Sequence, residues 1–216
     1  MSKYKCVIFD CDGVLVDSEP IGNQVLVDMA NQLGANIDLD YAYKHFKGGK
    51  MQSCVDKISE LINQPISEDF TTEYRRKSFE AFKANIKPVE GVTELIQSLK
   101  IPFCVASSGP EDKITLNLEL TGLLPYFENK IFSCYAIQKW KPSPAVFLWA
   151  AQTLGFKPEE CVVIEDSLTG VRAAKNGGFD VVGYTAHDYN NELKSEASYT
   201  FDSMEAINKF LIGFNN

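Results

Sequence analysis

Residues Lys5 to Pro20 read KCVIFDCDGVLVDSEP, and the fold turns on how the first half of that stretch is classed. Cys6, Val7, Ile8 and Phe9 are apolar without alternation, the pattern of a strand buried on both faces. Such strands belong to parallel sheets covered by helices. The run ends on Asp10, Asp12 and Gly13, with a third acid at Asp17. Asp10 and Asp12 are two apart, so they point to one side if the strand persists, and Gly13 permits a sharp turn. Carboxylates held together repel unless a cation intervenes, and a hard divalent ion such as Mg2+ prefers oxygen donors of this kind.

Four further runs have the same character: Pro102–Ser107 (PFCVAS), Lys130–Cys134 (KIFSC), Cys161–Asp166 (CVVIED) and Asp180–Tyr184 (DVVGY). Helical patterns alternate with them. Val92, Leu95, Ile96 and Leu99 share one helical face, and Phe147, Ala150, Ala151 and Leu154 share another ahead of a glycine stop at Gly155. This alternation predicts an α/β fold with a doubly wound, Rossmann-like parallel sheet. Ser18 to Ile86 is different, with helical periodicity and no strand-like run. Ile21, Val25 and Met29 form a stripe ahead of Gly34, and helices are expected over 38–46, 50–62 and 68–84. So long a block exceeds a crossover connection and has enough apolar residues to pack on itself. The expected organisation is an α/β core of residues 1–17 and 87–216, interrupted by an all-helical insertion, 18–86.

Of the 216 residues 45% are hydrophobic and 12% aromatic, which is ample to build a core and argues against disorder. A net charge of −8 opposes polyanions, and the densest basic run is only Arg75 to Lys77, so neither nucleic acid nor an anionic membrane is an expected partner. The six cysteines lack paired metal spacing, and several lie inside apolar runs as reduced core thiols do. MSKYKCVIFD has no signal-like apolar region, and no stretch approaches the roughly 20 residues of a membrane span. A soluble cytoplasmic protein is expected, its oligomeric state open.

In open parallel sheets ligands bind beyond the carboxyl ends of the strands. There the second run offers Ser107 and Ser108, hydroxyls beside a helix start that suit phosphate oxygens. After the third comes Lys141, mounted rigidly ahead of Pro142 and Pro144 as a phosphate clamp. After the fourth come Glu165 and Asp166, the second half of a magnesium site. Singly, each has an ordinary reading as a helix cap, a turn or a solvated lysine. The succession of anionic, hydroxyl, cationic and anionic groups at consecutive strand ends favours the chemical reading.

These pieces resemble the four motifs of the haloacid dehalogenase superfamily of phosphotransferases: FDCDGVLVDSE the first, CVASSG the second, KPSPAVF the third and VVIEDSLTGVRAAKNGG the fourth. The resemblance spans the whole chain. In it, 18–86 corresponds to the helical cap of the subgroup that includes phosphoglycolate phosphatase and β-phosphoglucomutase, and HFKGGKMQSCVDKIS and SCYAIQKWKPSPAVFLWAA look like bacterial 6-phosphogluconate phosphatases. The resemblance implies a magnesium-dependent phosphoric monoester hydrolase acting on a small soluble phosphomonoester, a sugar phosphate such as 6-phosphogluconate. It implies Asp10 as nucleophile, Asp12 as acid and then base, and Ser107 and Lys141 as phosphate holders, with Ser108 beside them. Asp10, Asp12 through its backbone carbonyl, and Asp166 would hold the metal, with Glu165 ligating directly or through water. Asp17 is expected to be structural. Lys47 and Lys50, in FKGGK, could meet an anionic substrate group across the mouth, or be ordinary surface lysines.

Two departures from the family pattern are Trp140 and Ala145, where glycine and aspartate are frequent. Trp140 would narrow the site or press against a neighbour. Gly22 stands where a β-phosphoglucomutase-like mutase has a hinge histidine, and FKGGKM lacks that enzyme's arginine. Hydrolysis is therefore expected over transfer within a sugar. A catalytically silent binding protein on the same fold could dispense with Asp10 or Asp166, and a dehalogenase would need neither Asp12 nor Asp166.

Overall fold

The computed structural model describes residues 3–46, 51–188 and 190–213. It divides into two compact units, 1–17 with 87–216, and 18–86. The first unit begins with β1 (Cys6–Phe9), all of it buried. The chain leaves for α1 (Glu19–Gln32), α2 (Leu39–His45), α3 (Met51–Ile62) and α4 (Phe70–Asn85), then returns. There follow α5 (Val92–Ser98), β2 (Phe103–Ser107), α6 (Glu111–Leu120), α7 (Leu124–Phe127), β3 (Ile131–Ser133), α8 (Cys134–Ile137) and α9 (Ala145–Leu154). The chain ends with β4 (Cys161–Glu165), α10 (Leu168–Asn176), β5 (Asp180–Tyr184), β6 (Tyr199–Phe201) and α11 (Met204–Gly213).

The six strands are parallel, in the order β3-β2-β1-β4-β5-β6. β1 is central, with Ile8 opposite Cys104 on one side and Val163 on the other. Alternate residues of β1 serve two helix layers. Cys6 and Ile8 pack with Phe147 and Ala150 of α9 and Val171 and Ala174 of α10. On the other face Phe9, Phe103 and Phe127 meet edge-on, at centroid separations of 5.4 to 6.2 Å. Covered on both sides, β1 gains from an apolar residue at every position, which is why it does not alternate.

β6 was not among the five runs read from the sequence. It is a three-residue edge strand, half-buried throughout, and so has no continuous apolar run to mark it. The helices of the second unit fall close to their expected bounds, but the deepest face of α1 is Leu26, Val27 and Ala30, while Ile21 and Val25 are half-buried. That unit has its own core, in which Leu26 and Ala30 join Ala42, Phe46, Cys54, Ile58 and Phe70. Lys47 and Lys50 lie outside the described residues. No helix among the described residues is long and apolar enough to cross a membrane.

β2 and β3 extend the sheet to one side of β1, and the chain then crosses back to place β4 on the other. This reversal opens a crevice at the carboxyl ends of β1, β2 and β4, the usual ligand position in such sheets.

Candidate active site

Asp10 is the first residue past β1, and its amide continues the ladder to the Ile164 carbonyl at 2.9 Å. Its side chain is thereby carried to the crevice on rigid backbone. Asp10 Oδ1 accepts from Lys141 Nζ at 2.7 Å, and the same ammonium donates to Glu165 Oε1 at 2.6 Å and to the Ala106 carbonyl at 3.2 Å. Three donors thus meet three acceptors. The ammonium also sits 4.7 Å from the ring centre of Phe147. Glu165 is fully buried, and its Oε2 accepts the Ser167 amide and hydroxyl at 3.0 and 2.9 Å. Ser167 in turn caps α10 by accepting from the Gly170 amide at 3.1 Å. Gly170 is where it is because a Cβ there would overlap the Glu165 carboxylate.

Burial is the strongest influence on Asp10 and pushes its carboxyl up to about 7, with Lys141 opposing the shift and Glu165 adding to it. The ordinary carboxylate value near 4 therefore does not hold for this side chain. For Lys141 burial is also the largest influence and would lower it, but Asp10 and Glu165 outweigh burial and hold the ammonium above its ordinary value.

Asp10, Glu165 and Asp166 offer oxygens that all lie within 4.8 Å of one another. Lys141 pairs with two of these three buried carboxylates, Asp10 and Glu165, and buried charge is costly unless it is paired. The hard-oxygen donor set fits a divalent cation. Gly13, at φ +77°, leaves the space in which Asp166 stands, since a Cβ there would collide with that carboxylate. These residues can hold a metal ion.

The contacts of the acidic groups differ from one another. Glu165, expected as a ligand directly or through water, accepts protein hydrogen bonds on both oxygens and anchors Lys141. The Asp12 carboxylate lies outside the three-membered cluster, and its Oδ2 is 2.8 Å from Lys113 Nζ. Lys113, in the first turn of α6, was not singled out from the sequence. A signal was available: a lysine in a helix's first turn opposes the helix dipole, so something other than local helix preference must hold it.

Ser107 is buried beside the cluster, and its hydroxyl accepts from the Gly109 amide at 3.1 Å. Ser108 is exposed, with its hydroxyl 3.9 Å from the Cys134 sulfur. Trp140 presses edge-on against Tyr135 at 5.4 Å, both rings exposed. The Asp17 amide donates to the Lys87 carbonyl at 2.9 Å, tying together the two passages that border the inserted unit.

A family profile of haloacid dehalogenase-like hydrolases matches residues 4–178. The chain is 31% identical over 208 residues to the 6-phosphogluconate phosphatase of Escherichia coli, covering 96% of this chain and 94% of that one. It is 28% identical to a phosphorylated carbohydrates phosphatase of Thermotoga maritima, over 87% of this chain and 88% of the other. A solved haloacid dehalogenase-like protein of unknown function from Agrobacterium tumefaciens superposes with a TM-score of 0.92 at 27% identity, covering 99% and 100% of the two chains. Domain-wide similarity in sequence and fold thus agrees with the acidic crevice, and the chain belongs to the haloacid dehalogenase-like hydrolases, as an enzyme of the phosphoric monoester hydrolase class.

Proposed function

We propose that this enzyme hydrolyses a small phosphomonoester, a sugar phosphate such as 6-phosphogluconate, using Mg2+ and an aspartyl-phosphate intermediate on Asp10. The observation that carries the reading is the buried Asp10–Lys141–Glu165 contact, 2.7 and 2.6 Å long, beside Asp166 at the carboxyl edge of the sheet. The names of the Escherichia coli and Thermotoga maritima relatives support a phosphorylated sugar as substrate.

Asp10 attacks phosphorus, and its own negative charge is the obstacle: two anions at contact in a low dielectric repel by several kcal/mol. Lys141 reduces that repulsion and partly offsets the burial that disfavours the anionic form of Asp10. Mg2+, held by Asp10, Asp166 and the Asp12 carbonyl, would supply the remaining positive charge and align the phosphoryl oxygens. Ser107 donates its hydroxyl to one of those oxygens, with Ser108 at the rim. Asp12 gives its proton to the departing sugar oxygen, and then takes one from the water that attacks the aspartyl-phosphate. The unit 18–86 acts as a cap that selects the substrate and excludes bulk water, with Lys47 and Lys50 meeting an anionic group such as the carboxylate of an acidic sugar.

Hydrolysis is favoured over a mutase reaction by Gly22. It is buried, and a Cβ on it would stand 3.2 Å from the Tyr74 hydroxyl, so the histidine that a mutase carries there would need that tyrosine to shift. The test is a panel of sugar, nucleotide and glycolytic phosphomonoesters assayed with Mg2+, using isotopically labelled phosphate and Asp10→Asn as control. Free labelled phosphate, lost in Asp10→Asn, is expected. Label on a second carbon of the same sugar, or turnover surviving in Asp10→Asn, would end the reading.

A further inference from the structure

We propose that Lys113 is the positioning residue for Asp12, holding its carboxyl group where it exchanges protons with the leaving oxygen and then with water. This rests on the reading of Asp12 as acid and base. The contact is 2.8 Å long and joins residues 101 apart in sequence. Its two side chains are 23% and 28% exposed, sheltered enough for the pairing to resist competition from water.

Three observations carry the assignment. Charge is divided between the two aspartates: all three donors of Lys141 go to Asp10, Glu165 and the Ala106 carbonyl, so Lys141 does not serve Asp12. Lys113 also sits against the helix dipole, in a first turn whose Glu111 and Asp112 suit that position and whose lysine does not. A tertiary partner, rather than local helix preference, accounts for it. Finally, the chain leading into α6 lies along Asp12 as well, since a Cβ on Gly109 would stand 3.8 Å from Asp12 Oδ2 and 3.5 Å from the Ser107 hydroxyl. One short segment thus brings Ser107 to the phosphoryl group and an ammonium to the proton carrier.

The proton inventory is simple. As the bond from phosphorus to the leaving oxygen breaks, its electron pair stays on that oxygen and the Asp12 proton follows. In the second half Asp12 takes a proton from the water whose oxygen attacks phosphorus, and Asp10 departs as carboxylate. Lys113 neither gains nor loses a proton. It fixes the orientation of an aspartate that precedes a glycine turn.

The test compares a sugar phosphate, whose alkoxide needs a proton to leave, with p-nitrophenyl phosphate, whose phenolate does not. In Lys113→Met, kcat/KM for the sugar phosphate should fall by about 10- to 100-fold, part of what a general acid supplies. The loss should lie in kcat, with KM unchanged within about threefold and kcat/KM for p-nitrophenyl phosphate nearly unaltered. Lys113→Arg should recover most of the activity, and Lys113→Met should add nothing in an Asp12→Ala background. Lys113→Gln replaces the methionine variant if the latter lowers the melting temperature. Equal losses of kcat/KM on both substrates, or additive losses in the double variant, overturn the proposal. Selective loss in Asp12→Ala without any in the Lys113 variants overturns it while sparing Asp12. If Asp12→Ala itself shows no selectivity, the acid–base reading falls and this proposal with it.

Discussion

Gly170→Ala should reverse the usual sign of a glycine-to-alanine change in a helix. Gly170 lies in the first turn of α10 and has no positive φ, so alanine there would ordinarily add about 0.5–1 kcal/mol. The new Cβ, however, would overlap the carboxylate of Glu165, which is fully buried and engaged by Lys141 at 2.6 Å and by Ser167 at 2.9 and 3.0 Å. The carboxylate must give up some of these donors. Breaking one side of a buried ion pair costs about 3–5 kcal/mol, so the net effect is a loss of about 2–4 kcal/mol. At about 2–4 °C per kcal/mol for a chain of this size, Tm should drop by roughly 4–16 °C by calorimetry. Activity should fall as well, because Lys141 loses an acceptor. In a Glu165→Ala background the obstruction is gone, and Gly170→Ala should become neutral or stabilising. An unchanged or higher Tm for the single variant would refute the steric argument.

Lys141→Met leaves Asp10 and Glu165 buried without their ammonium and should lower stability by about 3–5 kcal/mol while abolishing turnover. Lys141→Arg should not restore activity, because a planar fork does not match three acceptors gathered around one nitrogen; wild-type rates in that variant would count against this geometry. With the Asp10 carboxyl raised to about 7, the folded chain retains between about 4 and 7 a proton that the unfolded chain has released. This group then makes metal-free protein progressively less stable as pH rises through that window, facing Lys141, Glu165 and Asp12. The urea midpoint of wild type relative to Asp10→Asn should therefore decline from pH 4.5 to pH 7, and a rise would contradict the burial argument. All six cysteines are free and buried. Burial leads in raising the thiols of Cys11, Cys54 and Cys134 above their ordinary value, as neighbouring thiols do for Cys6 and Cys161. Ellman's reagent at pH 8 should label fewer than about one thiol per native chain within minutes, and all six after denaturation.

The parts of this enzyme that could be read early are those written in local pattern. Unbroken apolar runs marked β1, β2 and β4, because a strand covered on both faces has no reason to alternate. Asp10, Lys141 and Asp166 could be picked out because topology brings strand ends together whatever the details of packing. β6 escaped, as its three residues carry no such run.

The amino-acid sequence by itself determined the parallel α/β core, the placing of the helical insertion after β1, and the four strand ends where the candidate site residues lie, since periodicity and turn residues act over a few neighbours. Only the tertiary structure decided which cation serves which carboxylate: Lys141 goes to Asp10 and Glu165, and Lys113 to Asp12. Those partners are separated by 131, 24 and 101 residues. Charges so far apart along the chain meet only through the strand order and the helix placement, which no local pattern encodes.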